Sequence, residues 1–434
     1  MSTYFTLEAL PARKGDCLLL HYGSKSDPRL AVIDGGPSKV YRPHLKPRLE
    51  EIRKARGLTD QRPLPLDMVM VSHIDDDHIR GILEMTGELT KAKQEQKPRA
   101  WDIQLLWHNS FDSIIGNTPE QLEAAVGSQF GTASLSGSVP ADADPAVPNS
   151  NRRKRIVGYD AAKVLASVGQ GHKLRADARK LDLTLGRSTL NAPFGELVIA
   201  DGQQGSQVAL GGDLDFTVVG PMKTELEKLQ KKYDKELKKR GLDRSSGAAA
   251  LAAFSDPSVA NLSSIVVLAR SGSKSMLLTG DARGDKVLKG LKNAGLIESR
   301  GRMNVDILKL PHHGSENNVT AGFFKRIHAQ HYIGCGNGKH GNPEREAFEM
   351  LFKARGKSAF DIHLTYPVAE IDKERKKEAN KAHQRGRRER AWDKDRDGLK
   401  SLFEQKKASG AKFRLHEPDD RGRIAIDLRT PVEF

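Results

Sequence analysis

The chain has 434 residues, enough for two or three domains of roughly 150 residues or for one elaborated α/β core, and its 71 Lys+Arg against 56 Asp+Glu leave a net charge of +15. Apolar residues at 37% together with 40 glycines are ordinary globular usage, which excludes a collagen-like or wholly disordered chain. No apolar run approaches the roughly 18–20 residues that span a bilayer, so no membrane partner is expected.

In chain order, Thr3 to Leu10, Asp16 to Tyr22 and Leu30 to Ile33 are expected as three short strands, the third running into Asp34-Gly35-Gly36-Pro37. The opening alternates like a strand, with no charged-then-apolar leader, and Cys17 and Cys335 each sit in an apolar stretch. A disulfide framework is therefore not expected, and a reducing cytoplasmic setting is. Residues 44–56 have helix-forming composition. Leu66 to Val71 is apolar but for Asp67, the pattern of a strand buried on both faces, and it delivers Ser72-His73 into a charged loop before a helix. Residues 101–107 are expected as a further strand.

Residues 127–151 are rich in Gly, Ser, Ala and Pro and are expected as a linker or mobile loop. A strand at Thr217 to Gly220 precedes a helix over Thr224 to Arg240, with Leu226, Leu229, Tyr233 and Leu237 on one stripe and Gly241 as a C-cap. Regular α/β texture returns with strands at Ser263 to Ala269, Met276 to Leu278, Val305 to Leu310 and His331 to Gly334, then a helix from about Glu344. A charged helical stretch over 370–407 and strands at Phe413–Leu415 and Ile424–Leu428 close the chain. The expected division is 1–111 for the first half of a core, 112–260 for an insertion, 261–369 for the second half, and 370–434 for the charged helix and closing strands.

The chemistry-bearing residues follow apolar strands directly. His73-Ile74-Asp75-Asp76-Asp77-His78 packs two imidazoles and three carboxylates into six residues. The carboxylates repel unless a cation offsets them, so a divalent metal is the favoured reading and a solvated acidic turn the bland one. Asp281 in LLTGDAR, the His312-His313 pair in LKLPHHGS and His340 in GNGKHGNP each have an ordinary alternative as cap, packing or loop residue. Together they supply His and Asp at successive strand ends, where functional loops cluster.

The ordered set DGG (Asp34–Gly36), SHIDDDH (Ser72–His78), TGD (Thr279–Asp281), PHHGS (Pro311–Ser315) and KHGNP (Lys339–Pro343) resembles the metallo-β-lactamase-fold hydrolases, most closely the branch containing the hydrolase domain of the competence protein ComEC. GDCLLLHYG (Gly15–Gly23) fits that branch's opening hairpin. The resemblance covers about residues 3–110 and 262–345 and leaves 112–260 unexplained. It implies an α/β (α+β) chain folded as an αββα sandwich, with a large insertion and a basic helical C-terminal segment, and a mono- or dinuclear metal site at one edge. Carried over by position, His73 and Asp75 would hold one ion and Asp77 and His78 a second. Asp281 would bridge them, His312 or His313 would complete one shell, His340 would close the other, and Asp34 would orient the loop ligands.

Asp75 stands where the family usually has a second histidine, which leaves the choice between zinc and manganese open. No clear match exists for the family's histidine between the second motif and TGD. His108 is the nearest candidate, with strand-end packing as its plainer reading.

Two such ions activate water and polarise the attacked group, with Asp77 orienting or deprotonating the nucleophile and His313 or Ser315 meeting the developing charge. The expected function is metal-dependent hydrolysis. A phosphodiester of a nucleic acid or nucleotide is preferred because a +15 field gathers polyanions. Lys228–Lys239 and Lys373–Lys407, with Arg385, Arg387, Arg388 and Arg390, are the basic stretches. Both interleave Glu and Asp and also read as solvated helix faces with i,i+4 pairing, and Tyr233, Trp392 and Phe403 are the only aromatics there for base stacking. The alternatives are a hydrolase of small esters or phosphocholine-like diesters, and a scaffold with a vestigial metal site that binds a protein partner through 112–260. A role in genome defence fits the resemblance and no residue shows it.

Overall fold

The computed structural model describes residues 3–59, 61–110, 169–183, 189–201, 206–239, 261 and 263–433. The readings made for 127–151 and Gly241, and for the side chains of Leu229, Tyr233 and Leu237, fall outside the described residues.

Two mixed sheets stack face to face. The first takes β1 (Thr3–Ala9), β2 (Leu18–Ser24), β3 (Pro28–Ile33), β5 (Met68–Met70), β7 (Leu105–Trp107), β8 (Thr189–Leu190) and β17 (Ile424–Asp427) in the order β17-β1-β2-β3-β5-β7-β8. Its hairpin end is antiparallel, and it turns parallel from β3 onward. The second contains β9 (Gln207–Gly211), β10 (Leu214–Gly220), β11 (Val266–Ser271), β12 (Lys274–Leu278), β13 (Met303–Lys309), β14 (Ile327–Gly334), β15 (Phe360–Leu364) and β16 (Phe413–His416) in the order β16-β15-β14-β13-β12-β11-β10-β9. Here the run from β12 to β16 is parallel. β4 (Leu64–Leu66) and β6 (Trp101–Ile103) form a small parallel pair beside the first sheet.

The strands divide their side chains by period two, as a sheet covered on both faces requires. Met68 and Met70 enter the layer between the sheets, where they join Phe5, Leu20, Trp107, Met276, Ile307 and Ile333. Val69 and Val71 face the opposite way, into a layer closed by the helices Lys46–Ala55 and Asp76–Gln94. On the far side Leu277 and Leu308 pack under the helices Gly284–Asn293, Ala321–Arg326, Arg345–Arg355 and Leu399–Ala408. The layers run helix, sheet, sheet, helix, as the resemblance implies. The stretch 112–260, read as an insertion, supplies β8 to the first sheet and β9 and β10 to the second. Of the closing strands, β16 extends the second sheet and β17 pairs with β1 in the first. The charged stretch 370–407 divides into helices Val368–Gln384, Lys394–Asp397 and Leu399–Ala408. Among the described residues, no helix is long and apolar enough to cross a membrane.

Candidate metal centre

The parallel strands β5, β12 and β13 each end in a loop that carries ionisable side chains, and these loops meet. Two glycine contacts permit the closest approaches. A Cβ on Gly81 would lie 2.0 Å from the Gly35 carbonyl oxygen, so the DGG loop can press on the first turns of the helix Asp76–Gln94 only because Gly81 lacks one. A Cβ on Gly15 would lie 1.9 Å from the Asp77 carbonyl oxygen, and the same absence lets the loop carrying Asp16 reach the cluster.

Asp34 organises the SHIDDDH loop. Its Oδ1 accepts from the Ser72 backbone N–H at 2.7 Å, and its Oδ2 accepts from Ser72 Oγ at 2.7 Å and lies 2.9 Å from His78 Nδ1. With Nδ1 engaged, His78 turns Nε2 inward, where it lies 3.4 Å from Asp281 Oδ1 and 3.2 Å from His313 Nε2. His73 Nε2 sits 3.7 Å from Asp281 Oδ2 and 3.8 Å from Asp75 Oδ2. Both members of the His312-His313 pair converge on Asp281 Oδ2, at 3.5 and 3.4 Å. Each is steered by a partner on its other nitrogen: Asn318 Oδ1 lies 3.0 Å from His312 Nδ1, and Asp16 Oδ1 lies 3.0 Å from His313 Nδ1. Asp34, His312, His313 and His340 all take positive φ, at 60°, 48°, 55° and 61°, a backbone state that non-glycine residues adopt at a cost and that clusters at working sites.

Two residues absent from the sequence reading belong to this cluster. Asp16 contributes with His78, Asp281 and His313 to a group whose ligand atoms all lie within 4.8 Å of one another. Lys309, 1% exposed at the end of β13, places Nζ 2.5 Å from Asp16 Oδ2 and 3.6 Å from Asp281 Oδ1, and donates to the Gly280 carbonyl at 2.9 Å. GDC at the second strand and a lysine inside an apolar strand were the available signals, since a buried ammonium needs a carboxylate.

The other expected site residues are placed less centrally. Asp75 is the N-cap of the helix Asp76–Gln94 and keeps a half-exposed carboxylate. Asp77 points its carboxylate at Lys14, 3.6 Å away. Ser315 donates to Glu344 Oε2 at 3.1 Å, so its hydroxyl is engaged on the neighbouring loop. His340 is exposed on the turn Lys339–Gly341 and lies outside the close-set group. That turn adjoins the pair through Asn342 Nδ2, which donates to the His312 carbonyl at 3.2 Å. His108 is fully buried after β7 with its backbone tied to Asn191, and it too lies outside the group.

The buried charges set one another. Burial opposes ionisation of Asp16 and Asp281, yet Lys309 and His313 around the first, and His313, His78 and His312 around the second, hold both carboxyls far below the usual range. For His313 burial is likewise outweighed by Asp281 and Asp16, raising its pKa to about 9. His78 is raised in the same way by Asp281 and Asp34. His73 is pulled down to about 3, first by burial and then by His78. Asp77 is half-buried and held low, with Lys14 the leading favourable cause against desolvation.

A metal ion fits these residues on two observations. His73 Nε2 and Asp281 Oδ1 are buried without a well-formed hydrogen bond, a costly state for polar atoms. His78 Nε2 and His313 Nε2 face each other, so a proton or a cation must lie between two lone pairs. The set mixes imidazole nitrogen with carboxylate oxygen, which suits zinc or manganese.

The metal-free protein therefore has a definite pH dependence. A raised histidine contributes stability that is complete below its unfolded pKa near 6.5 and is lost as pH climbs through the folded value, here about 9 for His313. Melting temperature in EDTA should fall between about pH 6.5 and 9, and His313→Gln should flatten that slope; an unchanged slope in the variant would remove His313 as its source.

No protein-family model matches the chain, and no curated protein matches it. Among solved structures, one from Parabacteroides distasonis, provisionally named a metal-dependent hydrolase, is similar at 10% identity and a TM-score of 0.29, over 83% of this chain and 98% of that one.

Proposed function

We propose that this chain is a metal-dependent hydrolase of the metallo-β-lactamase-fold class, in its ComEC-like branch, acting on phosphodiesters of a nucleic acid or nucleotide. The observation that carries the reading is the convergence of His73, His78, His312 and His313 on the Asp281 carboxylate from three strand ends, with His73 Nε2 and Asp281 Oδ1 buried there without a hydrogen-bond partner. His73, Asp75, Asp281 and His312 would hold one divalent ion, and His78, His313, Asp16 and Asp281 a neighbour. Such ions, when bound, supply a water of lowered pKa and a Lewis acid for the attacked group.

The chain's own residues do the positioning. Asp34, Asn318 and Asp16 each occupy one nitrogen of a histidine and so direct the other nitrogen inward. Asp77 is held ionised by Lys14, which makes it a poor proton acceptor and favours orientation of the nucleophile as its role.

The phosphodiester preference rests on charge. The helix Val368–Gln384 docks on the turn beside the site, Arg375 Nε donating to the Gly341 carbonyl at 3.0 Å. Lys373, Lys376, Lys377 and Lys381 are exposed on it. Pairing with Glu374 and Glu378, at 3.4 Å each, partly neutralises two of them, so the field is weaker than the sequence count suggests.

The test is a metal assay combined with an activity screen. The purified protein should retain zinc or manganese, lose turnover in EDTA and regain it with either ion, on single-stranded DNA, duplex DNA, RNA or a small diester. Nucleic-acid affinity should fall steeply with salt. Turnover of the small diester without nucleic-acid affinity would move the reading to small esters. Metal-free protein that hydrolyses none of them would remove it.

Lys309 favours the second reading, a partner-binding scaffold with a vestigial site: a buried ammonium already neutralises Asp16, where a second cation would otherwise act. A partner engaging 112–260 belongs to that reading, and metal content separates the two.

A further inference from the structure

The parallel register at the β16 edge of the second sheet places a second group of ligand-bearing side chains far from any motif discussed so far. His331 stands beside Asp361 and Arg414, and His363 beside His416. Residue alternation puts them on the face that carries Ile307 and Ile333, the face turned to the first sheet. An apolar residue is the ordinary occupant there, and burying imidazoles and a carboxylate instead is costly unless they find partners.

Their geometry is that of a coordination shell. His331 Nδ1 lies 3.1 Å from His363 Nε2 and 3.3 Å from Asp361 Oδ2. His416 flanks the group rather than joining it: its Nε2 lies 3.7 Å from Asp361 Oδ1, and its ring stacks on His363 at 4.4 Å with an 8° tilt, so the two in-plane lone pairs do not meet at one ion. Ligands about 2.0–2.1 Å from a tetrahedral zinc are separated by about 3.3–3.4 Å, close to the 3.1 and 3.3 Å that His331 Nδ1 keeps to His363 and Asp361. His416 Nε2 is itself buried without a hydrogen-bond partner. We propose that His331, Asp361 and His363, whose ligand atoms all lie within 4.8 Å of one another, form a zinc-type transition-metal site with an open position, separate from the cluster around Asp281.

Burial first, and then the neighbouring histidines, keep His363 neutral, with its pKa near 3, so its lone pair is available for coordination. Burial lowers His331 as well. Arg414 bonds both Asp361 oxygens at 2.7 Å, and with its side chain 73% exposed it can swing into solvent when a dication takes over the carboxylate. The site does not depend on the hydrolase reading.

The experiment uses the full chain and zinc alone. In a background carrying Asp281→Asn and His313→Gln, which removes ligands from the other cluster, desalted protein should still retain roughly one equivalent of zinc. Adding His331→Gln and His363→Gln should abolish that equivalent. Unchanged zinc content after the added substitutions overturns the site. Should those variants fail to fold, the unsubstituted protein gives the answer through modification by diethyl pyrocarbonate, read by peptide mass spectrometry. Zinc should slow modification of His331 and His363 severalfold while leaving His328 unchanged; equal rates with and without zinc overturn the site as well.

Discussion

Asp281→Asn should leave a folded protein whose hydrolytic turnover, on any substrate the screen finds, is lower by at least about a thousandfold, the upper range for deleting one preorganised charge-stabilising group. Asp281 is the carboxylate on which His73, His78, His312 and His313 all converge, so no neighbour can replace it. Asparagine conserves the volume and removes the charge. In the metal-free state the raised histidines would lose their main counter-charge, with a cost of about 3 kcal/mol for breaking a buried ion network. Measured together, metal content and turnover should fall in step while circular dichroism stays unchanged. Retained turnover would remove Asp281 from the centre of the chemistry.

Lys309→Met should be the most damaging substitution to the stability of the metal-free chain. The ammonium is the nearest cation to Asp16 and also faces Asp281, and all three side chains are 3% exposed or less. Methionine fills the space and leaves the carboxylates unpaired, at a cost of about 3–5 kcal/mol. A divalent cation in the cluster would neutralise the same carboxylates, so zinc or manganese should restore much of the loss by binding the folded state. Urea midpoints with EDTA and with metal measure both effects. A variant as stable as the parent in EDTA would show that Lys309 carries no structural charge compensation. A variant that metal cannot rescue would place the stabilising role in the ammonium's hydrogen bond to Gly280.

The regular core was legible because each buried strand advertises itself. LDMVMV and VDILKL carry apolar residues on both faces, interrupted by Asp67 in the first and by Asp306 and Lys309 in the second, and the structure sends alternate apolar residues to the helix layer and to the layer between sheets. The loop ligands were legible for a related reason, since polar residues crowded directly after such strands have few bland explanations. Asp16 and Lys309 were harder. Asp16 sits in an unremarkable strand approach and becomes a cluster member only because Gly15 lets it close on Asp77. Lys309 looks like one basic residue among many until its strand proves to be buried on both faces. The group around Asp361 was invisible for a stronger reason: its members come from two strands with no shared motif.

The amino-acid order alone determined the strands, the helices that follow them and the residue types waiting at their ends, because periodicity and turn chemistry act over a few neighbouring residues. It also determined a net charge that attracts anions. Only the tertiary structure decided which ends meet, that His78 rather than His340 faces His313, and that a lysine shares the pocket. Those outcomes depend on sheet order, parallel register and the absence of a Cβ at two contacts, which are relations between segments distant along the chain.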